Sequence, residues 1–388
     1  SASATPNRWN EELKSRPMTR AEIKEMVEAF GKTAKKLRDA GVDGVEIHAV
    51  HEGYLLDQFT MKNWNFRTDE YGGSFENRFR FPVEIVRRVR ERVGTNFIIL
   101  YRLSMLALVE GGSTLDEVKL LARAIEAAGA TIINTGIGWH EARIPTIATS
   151  VPRGAYTWVT KKLMGQVTIP LVTTNRINTP DLAEELLAGG CADMVSMARP
   201  MLADPDFVAK AVAGTPEAIN TCIGCNQACL DHTFGGKLTS CLVNPRACHE
   251  TELVIEPTTT PRTIAVVGAG PAGLAFATTA AERGHKVTLF EAASRIGGQF
   301  NIAMQIPGKE EFHETIRYFG KRLAITGVEQ RLGARVDAEA LLAGGNDETV
   351  LAMGIRPRKV DFPGADNLKV VSDLDVLSGK VVDWRRVS

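Results

Sequence analysis

The stretch TIAVVGAGPAGLAFATTAAERGHKVTLFE, residues 263–291, decides how the second half of the chain folds. It reads as a strand, a glycine turn, a helix and a second strand, with Gly268, Gly270 and Gly273 in the order G-x-G-x-x-G. Glu291 follows 18 residues after Gly273. A lone glycine triplet is a weak signal, but here strand, helix and acidic residue all stand where dinucleotide binding needs them. The glycines and Ala272 let the backbone approach a pyrophosphate at the helix N-terminus, and Glu291 can accept from a ribose hydroxyl. The plain alternative is a structural glycine turn. A helical segment over 309–326 and a strand near 348–353 continue the α/β pattern, and no second G-x-G-x-x-G appears.

Upstream, PTTTP at 257–261 reads as a linker, and before it lies TCIGCNQACLDHTFGGKLTSCLVNPRAC, residues 221–248. It places Cys222, Cys225, Cys229 and Cys241 in a C-x2-C-x3-C-x11-C array. Thiolates so spaced suit an iron–sulfur cluster or tetrahedral zinc. The uneven spacing is poor for a zinc knuckle built of two C-x2-C pairs, which favours a [4Fe–4S] cluster; zinc and plain structural cysteines remain as alternatives. Cys191 and Cys248 lie outside the array and read as small buried hydrophobes.

The first half alternates strands and helices. Residues 1–18 are polar with two prolines and read as a linker. Thr19 and Glu22 then form a capping box, and Ile23, Met26, Val27, Phe30, Ala34 and Leu37 make a helical stripe ending at Gly41. Strands are expected at VDGVEIHAV, FIILYRLS (97–104), ATIINTGIG (130–138), IPLVTTNRI (169–177) and ADMVSMARP (192–200). Helices are expected over 76–93, 115–128 and 179–188. Continuous apolar strands between helices imply a parallel sheet covered by helices. Polar residues gather at the strand carboxyl ends: His48, His51, Arg102, Ser104, His140, Asn175, Arg176 and Arg199. That is the pattern of a (β/α)8 TIM barrel, whose active site is built after the strands. Five strands are visible where a barrel has eight. The sequence is therefore expected to be a fragment lacking about three N-terminal βα units, and unstable or inactive alone.

The totals exclude several classes. In 388 residues, 46 Lys and Arg balance 46 Asp and Glu, so there is no electrostatic footprint for nucleic acid or an anionic membrane. Hydrophobic content of 44% with 24% charged residues is that of a globular protein. No apolar run reaches the ~18 residues of a spanning helix, and the N-terminus has no signal-peptide core. Six cysteines, four of them clustered, fit a reducing compartment, so the cytoplasm is expected.

These stretches resemble the old yellow enzyme superfamily, in the multidomain branch that includes 2,4-dienoyl-CoA reductase, enoate reductases and bile-acid Δ4-reductases. The likeness is carried by GVEIHAVHEGYLLDQF, NRFRFPVEIVRRVRERVG, YRLSML, NTGIGWHEARIPTIA, VTTNRIN, MVSMARP and CIGCNQACLD…SCLVNPRACHE, and spans about residues 18–382. It implies a partial FMN-binding barrel over 1–215, a [4Fe–4S] segment over 216–256 and a partial, Rossmann-like FAD domain over 257–388. A separate NAD(P)H domain is not expected within it. Electrons would run from NAD(P)H through FAD and the cluster to FMN, to reduce an activated C=C bond. The expected substrate is a 2,4-dienoyl-CoA of unsaturated fatty-acid β-oxidation. The alternatives are an enoate or 3-oxo-Δ4-steroid reductase, and an inactive electron-transfer fragment.

The resemblance also assigns roles. Tyr54 aligns with the proton donor and His140 with its partner, although a loop tyrosine and a structural histidine are the plain alternatives. His48 and His51 would donate to the substrate carbonyl, with strand-end packing an equal alternative. Glu141 and Arg143 would line the substrate channel. Asn63 stands where dienoyl-CoA reductases carry a basic residue, which favours the enoate branch, with Lys62 adjacent. Arg102 would stabilise the reduced FMN ring, and Asn175, Arg176, Ala198 and Arg199 would hold its phosphate. Gln227 would link cluster and FMN, and Gln299 of GGQFNIA would join the FAD contacts.

Overall fold

The computed structural model describes residues 1–6, 10–50, 54–139, 142–358, 361–367 and 369–380. The chain forms two compact units, Ser1–Ile147 with Val151–Met197, and Ala148–Ser150 with Ala198–Ser388.

The first unit holds β1 (Gly44–Ala49), β2 (Ile98–Leu106), β3 (Ile132–Ile137), β4 (Leu171–Thr173) and β5 (Met194–Val195). They pair in parallel in the order β1-β2-β3-β4-β5. Each crossover steps one strand in the same direction, which makes a (β/α) barrel arc and not a doubly wound sheet. Alternation on β2 shows the two faces. Ile99, Tyr101, Leu103 and Met105 are buried, and Leu100, Arg102, Ser104 and Leu106 are half-buried on the opposite face. The buried face joins Ile23 and Val27 of the helix Arg20–Asp39 and Phe81, Ile85, Val86 and Val89 of Arg80–Val93 in one core. Each such side chain contributes roughly 1.5–3 kcal/mol when fully buried. Beneath β3 and β4, the Thr135 hydroxyl donates to Val172 O at 2.8 Å, and the Thr160 hydroxyl donates to that of Thr173 at 2.9 Å.

The second unit holds β6 (Thr263–Val267), β7 (Lys286–Glu291), β8 (Glu329–Leu332) and β9 (Glu348–Leu351), all parallel in the order β8-β7-β6-β9. The strand order reverses beside β6, and the glycine turn leaves β6 at that switch point. Helices Pro271–Glu282 and Phe312–Thr326 supply Leu274, Ala277 and Leu323 to a core with Ile264, Val266 and Leu289.

Several expectations change. The N-terminal segment is no linker: Ala2 is fully buried, and Arg67 donates to Ala2 O at 3.2 Å and to Met18 O at 2.6 Å. Hydrogen bonds hold it, so an apolar pattern could not reveal it. The helix expected over 76–93 is broken at Phe79 into Phe75–Arg78 and Arg80–Val93. Leu37 is 40% exposed, off the buried stripe. Strand β5 is two residues long, and Arg199 opens a helix, Arg199–Ala203, with Pro200 in its first turn. Proline pre-sets the helical backbone there and donates no N–H to a strand ladder. Strand β8 was not anticipated because EQRL is exposed at every position and has no alternation to read. No helix among the described residues is long and apolar enough to cross a membrane.

Candidate active site

The parallel strands of the first unit all end on one side, and the chemistry-bearing residues follow. Strand register puts His48 beside Arg102, and Arg102 beside Asn134. Two residues before His48 on the same strand face, Glu46 accepts from Asn134 Nδ2 at 2.7 Å. Tyr54 is the N-cap of the short helix Leu55–Thr60. Its ring lies against His48, centroid to centroid 5.0 Å, tilted by 55°. Tyr54 is 46% exposed.

The electrostatics of this group are specific. Burial of part of the His48 ring pushes its pKa down, the Arg102 charge adds to that, and Glu46 opposes it. His48 is therefore a neutral hydrogen-bonding imidazole at neutral pH. Arg102 is the charged member, and its buried Nε has no hydrogen-bond partner among the described residues. A buried guanidinium N–H without an acceptor is costly, and it marks a place for an anionic or carbonyl-bearing ligand edge. That donor fits a flavin ring.

Asn175 and Arg176 follow β4 with φ of 73° and 57°, two consecutive non-glycine residues in the left-handed region. Such conformations cost roughly 1–3 kcal/mol each and cluster at ligand sites. The Arg176 Nε donates to Val151 O at 2.8 Å and its carbonyl accepts from Gly154 N–H at 3.0 Å, so it also anchors the loop after β3. Asn175 Nδ2 reaches Thr146 O at 3.5 Å. Asn63 donates to Glu110 O at 3.3 Å beside the Trp64–Trp139 pair, and its Oδ1 is buried without a partner among the described residues. Arg143 is exposed. His51, His140 and Glu141 lie outside the described residues. The neighbour that the structure reveals for Tyr54 is thus His48. The i to i+6 spacing of His48 and Tyr54 carried no signal, because it matches neither the helical nor the strand period.

In the second unit, Gly224 and Asn226 take left-handed φ of 65° and 62°, which folds CIGCNQAC into a tight loop. Arg199 donates to the Asn226 side chain, so this arginine braces the cysteine loop. Cys225 and Cys241 both sense neighbouring thiols. Burial raises the Cys225 pKa, with Cys222 and Cys229 adding to it and the Gln227 N–H opposing. Burial pushes Cys241 up to about 11, with Cys222 and Cys225 adding and the Val243 and Asn244 N–H groups opposing. Backbone N–H groups are aimed at the sulfurs of Cys225 and Cys241, and the four-cysteine spacing is what suits an iron–sulfur centre. Among the described residues no three His, Cys, Asp or Glu side chains converge as around a single ion. Gln227 contributes its backbone, and its side chain is exposed.

The three glycines divide their work as a dinucleotide site requires. Gly268 has φ 107°, and a Cβ there would lie 2.4 Å from Ala352 O. At Gly273 a Cβ would lie 1.9 Å from Gly268 O, whereas at Gly270 nothing stands within 4 Å. Gly270 caps the helix that continues through Ala272, leaving its backbone open to a phosphate. Glu291 accepts from Ala269 N–H at 2.7 Å and Ala293 N–H at 2.8 Å, which aims its carboxylate at the turn. Gln299 donates to Ile355 O at 2.9 Å. This cradle fits an FAD.

Comparison with known proteins agrees. Residues 1–218 match the NADH:flavin oxidoreductase / NADH oxidase family, and residues 262–383 match pyridine nucleotide-disulphide oxidoreductase. A metal reductase of Desulforamulus reducens is 42% identical over 94% of this chain and 55% of its own length. A cinnamate reductase of Clostridium sporogenes is 35% identical over 97% of this chain and 58% of its own. The structure of a 2-naphthoyl-CoA reductase with 2-naphthoyl-CoA superposes with a TM-score of 0.93 at 34% identity, covering 98% of this chain and 58% of that one. The chain thus spans a little over half the length of these relatives. It belongs to the NADH:flavin oxidoreductase / NADH oxidase family, with an old-yellow-enzyme-like barrel domain followed by a dinucleotide-binding domain.

Proposed function

We propose that this protein takes part in reducing a C=C bond conjugated to a carbonyl, with a 2,4-dienoyl-CoA or related enoyl thioester as substrate. The observation that carries the reading is the group Tyr54, His48 and Arg102 at the carboxyl ends of the barrel strands. Bound FMN would supply the hydride, with FAD and a [4Fe–4S] cluster on Cys222, Cys225, Cys229 and Cys241 feeding it from NAD(P)H. Arg102 would hold the electron-rich edge of the ring. Neutral His48 donates a hydrogen bond to the substrate carbonyl, drawing charge onto that oxygen as the bond is reduced. Tyr54 delivers the proton as a positioned general acid. Asn175 and Arg176 would serve the FMN phosphate. The relatives named for cinnamate and naphthoyl-CoA support a planar conjugated acid or thioester, and the cysteine content supports a reducing, cytoplasmic setting.

The test is anaerobic turnover of a 2,4-dienoyl-CoA, cinnamate and a 3-oxo-Δ4-steroid with NADH and NADPH, alongside iron, sulfide, FMN and FAD content. Turnover of a dienoyl-CoA with all cofactors present supports the proposal, and preference for cinnamate or the steroid moves it to the enoate branch. The likeness to a metal reductase favours a second reading, electron delivery to an external acceptor. Rapid reduction of ferric chelates with every conjugated substrate inert would establish that reading and overturn the first.

A further inference from the structure

The segment leading into the cysteine array is held by one arginine. Arg317, on the helix Phe312–Thr326, donates to the carbonyl oxygens of Glu217 and Ile219 and, at 3.0 Å, to the hydroxyl of Thr221. Its Nε donates to Glu314 Oε2 at 2.6 Å, and the Thr221 hydroxyl donates toward that same oxygen at 3.4 Å. The three side chains close a ring, with Thr221 accepting from arginine and giving to glutamate. Ile219 and Thr221 are buried, and the next residue is Cys222. The carbonyls of Glu217 and Ile219 lie outside any strand ladder, so a donor from elsewhere must satisfy them. Only a planar fork of five donors reaches two carbonyls, a hydroxyl and a carboxylate at once; an ammonium does not. The same helix sends Leu323 into the core of the dinucleotide domain.

We propose that Arg317 is a positioning residue for the cysteine array. It ties the Cys222 limb to a core helix of the dinucleotide domain, so that helix sets where the first thiol stands and how far it is exposed. The proposal rests on reading the array as the redox centre, but its first readout does not require the centre to be loaded.

The experiment compares wild type with Arg317→Met, Arg317→Lys, Thr221→Val and Thr221→Ser in the intact protein. In metal-free protein, alkylation of each array cysteine is followed by peptide mass mapping. Loss of the tie should speed Cys222 alkylation by about tenfold or more through local opening, while Cys241 keeps its rate. Thr221→Ser should behave as wild type, and Arg317→Lys should rescue only in part. In loaded protein, Arg317→Met should shift the reduction potential and the electron-spin signature of the centre, which a mere brace would leave unmoved. Unchanged Cys222 reactivity and an unchanged signature in a folded Arg317→Met protein overturn the proposal. Should that variant fail to fold, equal Cys222 rates in Thr221→Val and Thr221→Ser overturn it instead. Wild type lacking iron and sulfide would overturn the redox reading alone, since the thiol rates still judge the placement.

Discussion

Substituting alanine at each of the three turn glycines should separate folding from flavin binding. At Gly268 the backbone sits at φ 107°, where an L-residue is strained, at roughly 1–3 kcal/mol. The added methyl would also meet Ala352 O at 2.4 Å and Ala352 C at 2.8 Å. Those atoms cannot retreat, because Ala352 N–H donates to Val267 O at 2.8 Å and continues the β6–β9 pairing. Overpacking of that kind adds roughly 1–3 kcal/mol. Gly268→Ala should therefore lose about 2–6 kcal/mol, a fall of about 5–20 °C in the melting temperature of the second unit. Gly273→Ala, with its methyl 1.9 Å from Gly268 O, should be at least as damaging. Gly270 differs: its φ of −74° and ψ of 176° suit any residue and no atom stands within 4 Å. Gly270→Ala should stay within about 0.5 kcal/mol of wild type, yet its methyl occupies the space a pyrophosphate needs. FAD affinity should fall about 10-fold or more for each backbone hydrogen bond the displaced phosphate can no longer accept. The assay is differential scanning calorimetry paired with chromatographic quantitation of released FAD and FMN. A Gly270→Ala protein that keeps full FAD, or that melts as early as Gly268→Ala, would refute the reasoning.

Other outcomes follow from the rest of the site. Tyr54→Phe should slow turnover roughly 10²–10⁴-fold, the ordinary contribution of a general acid, while anaerobic stopped-flow reduction of the flavins by NAD(P)H keeps its rate. Arg102→Met removes the buried donor from the flavin position, so FMN affinity measured by fluorescence titration should fall about 10–100-fold with FAD content unchanged. The depressed pKa of His48 means the unfolded chain binds its proton first as pH falls through about 6.5. Its contribution to stability is thus present above that range and lost on acidification. Urea midpoints between pH 5 and 8 should show a decline that His48→Asn reduces, and an identical slope in that variant would sink the assignment. Cys241→Ala should lower iron and sulfide together, because both are held by the same thiolates; zinc retained in their place would exclude the cluster.

The likeness of whole stretches, together with strand–helix alternation, made the barrel and the dinucleotide domain legible. Strands β3 and β6 bury continuous runs and β1, β2 and β7 bury alternate apolar residues, and burial is what periodicity reports. The turn glycines were equally legible, since their spacing is the geometry. Elements held by polar groups were not. The N-terminal segment hangs on Arg67, and β8 is exposed along its length. Arg199 opens a helix just after β5, and its hydrogen bond to Asn226 of the cysteine loop left no trace in the spacing.

By itself, then, the sequence determined which chemistry is carried: four thiols at cluster spacing, a glycine cradle and a row of polar strand ends. Only the tertiary structure decided which of these groups meet. Strand register puts His48 beside Arg102, the Tyr54 ring lies against that imidazole, and Arg317 reaches back 96 residues to Thr221, just before Cys222. The physical reason is that local pattern encodes burial and backbone conformation, residue by residue. Proximity between distant polar groups is set by the packing of whole elements and leaves no periodic trace along the chain.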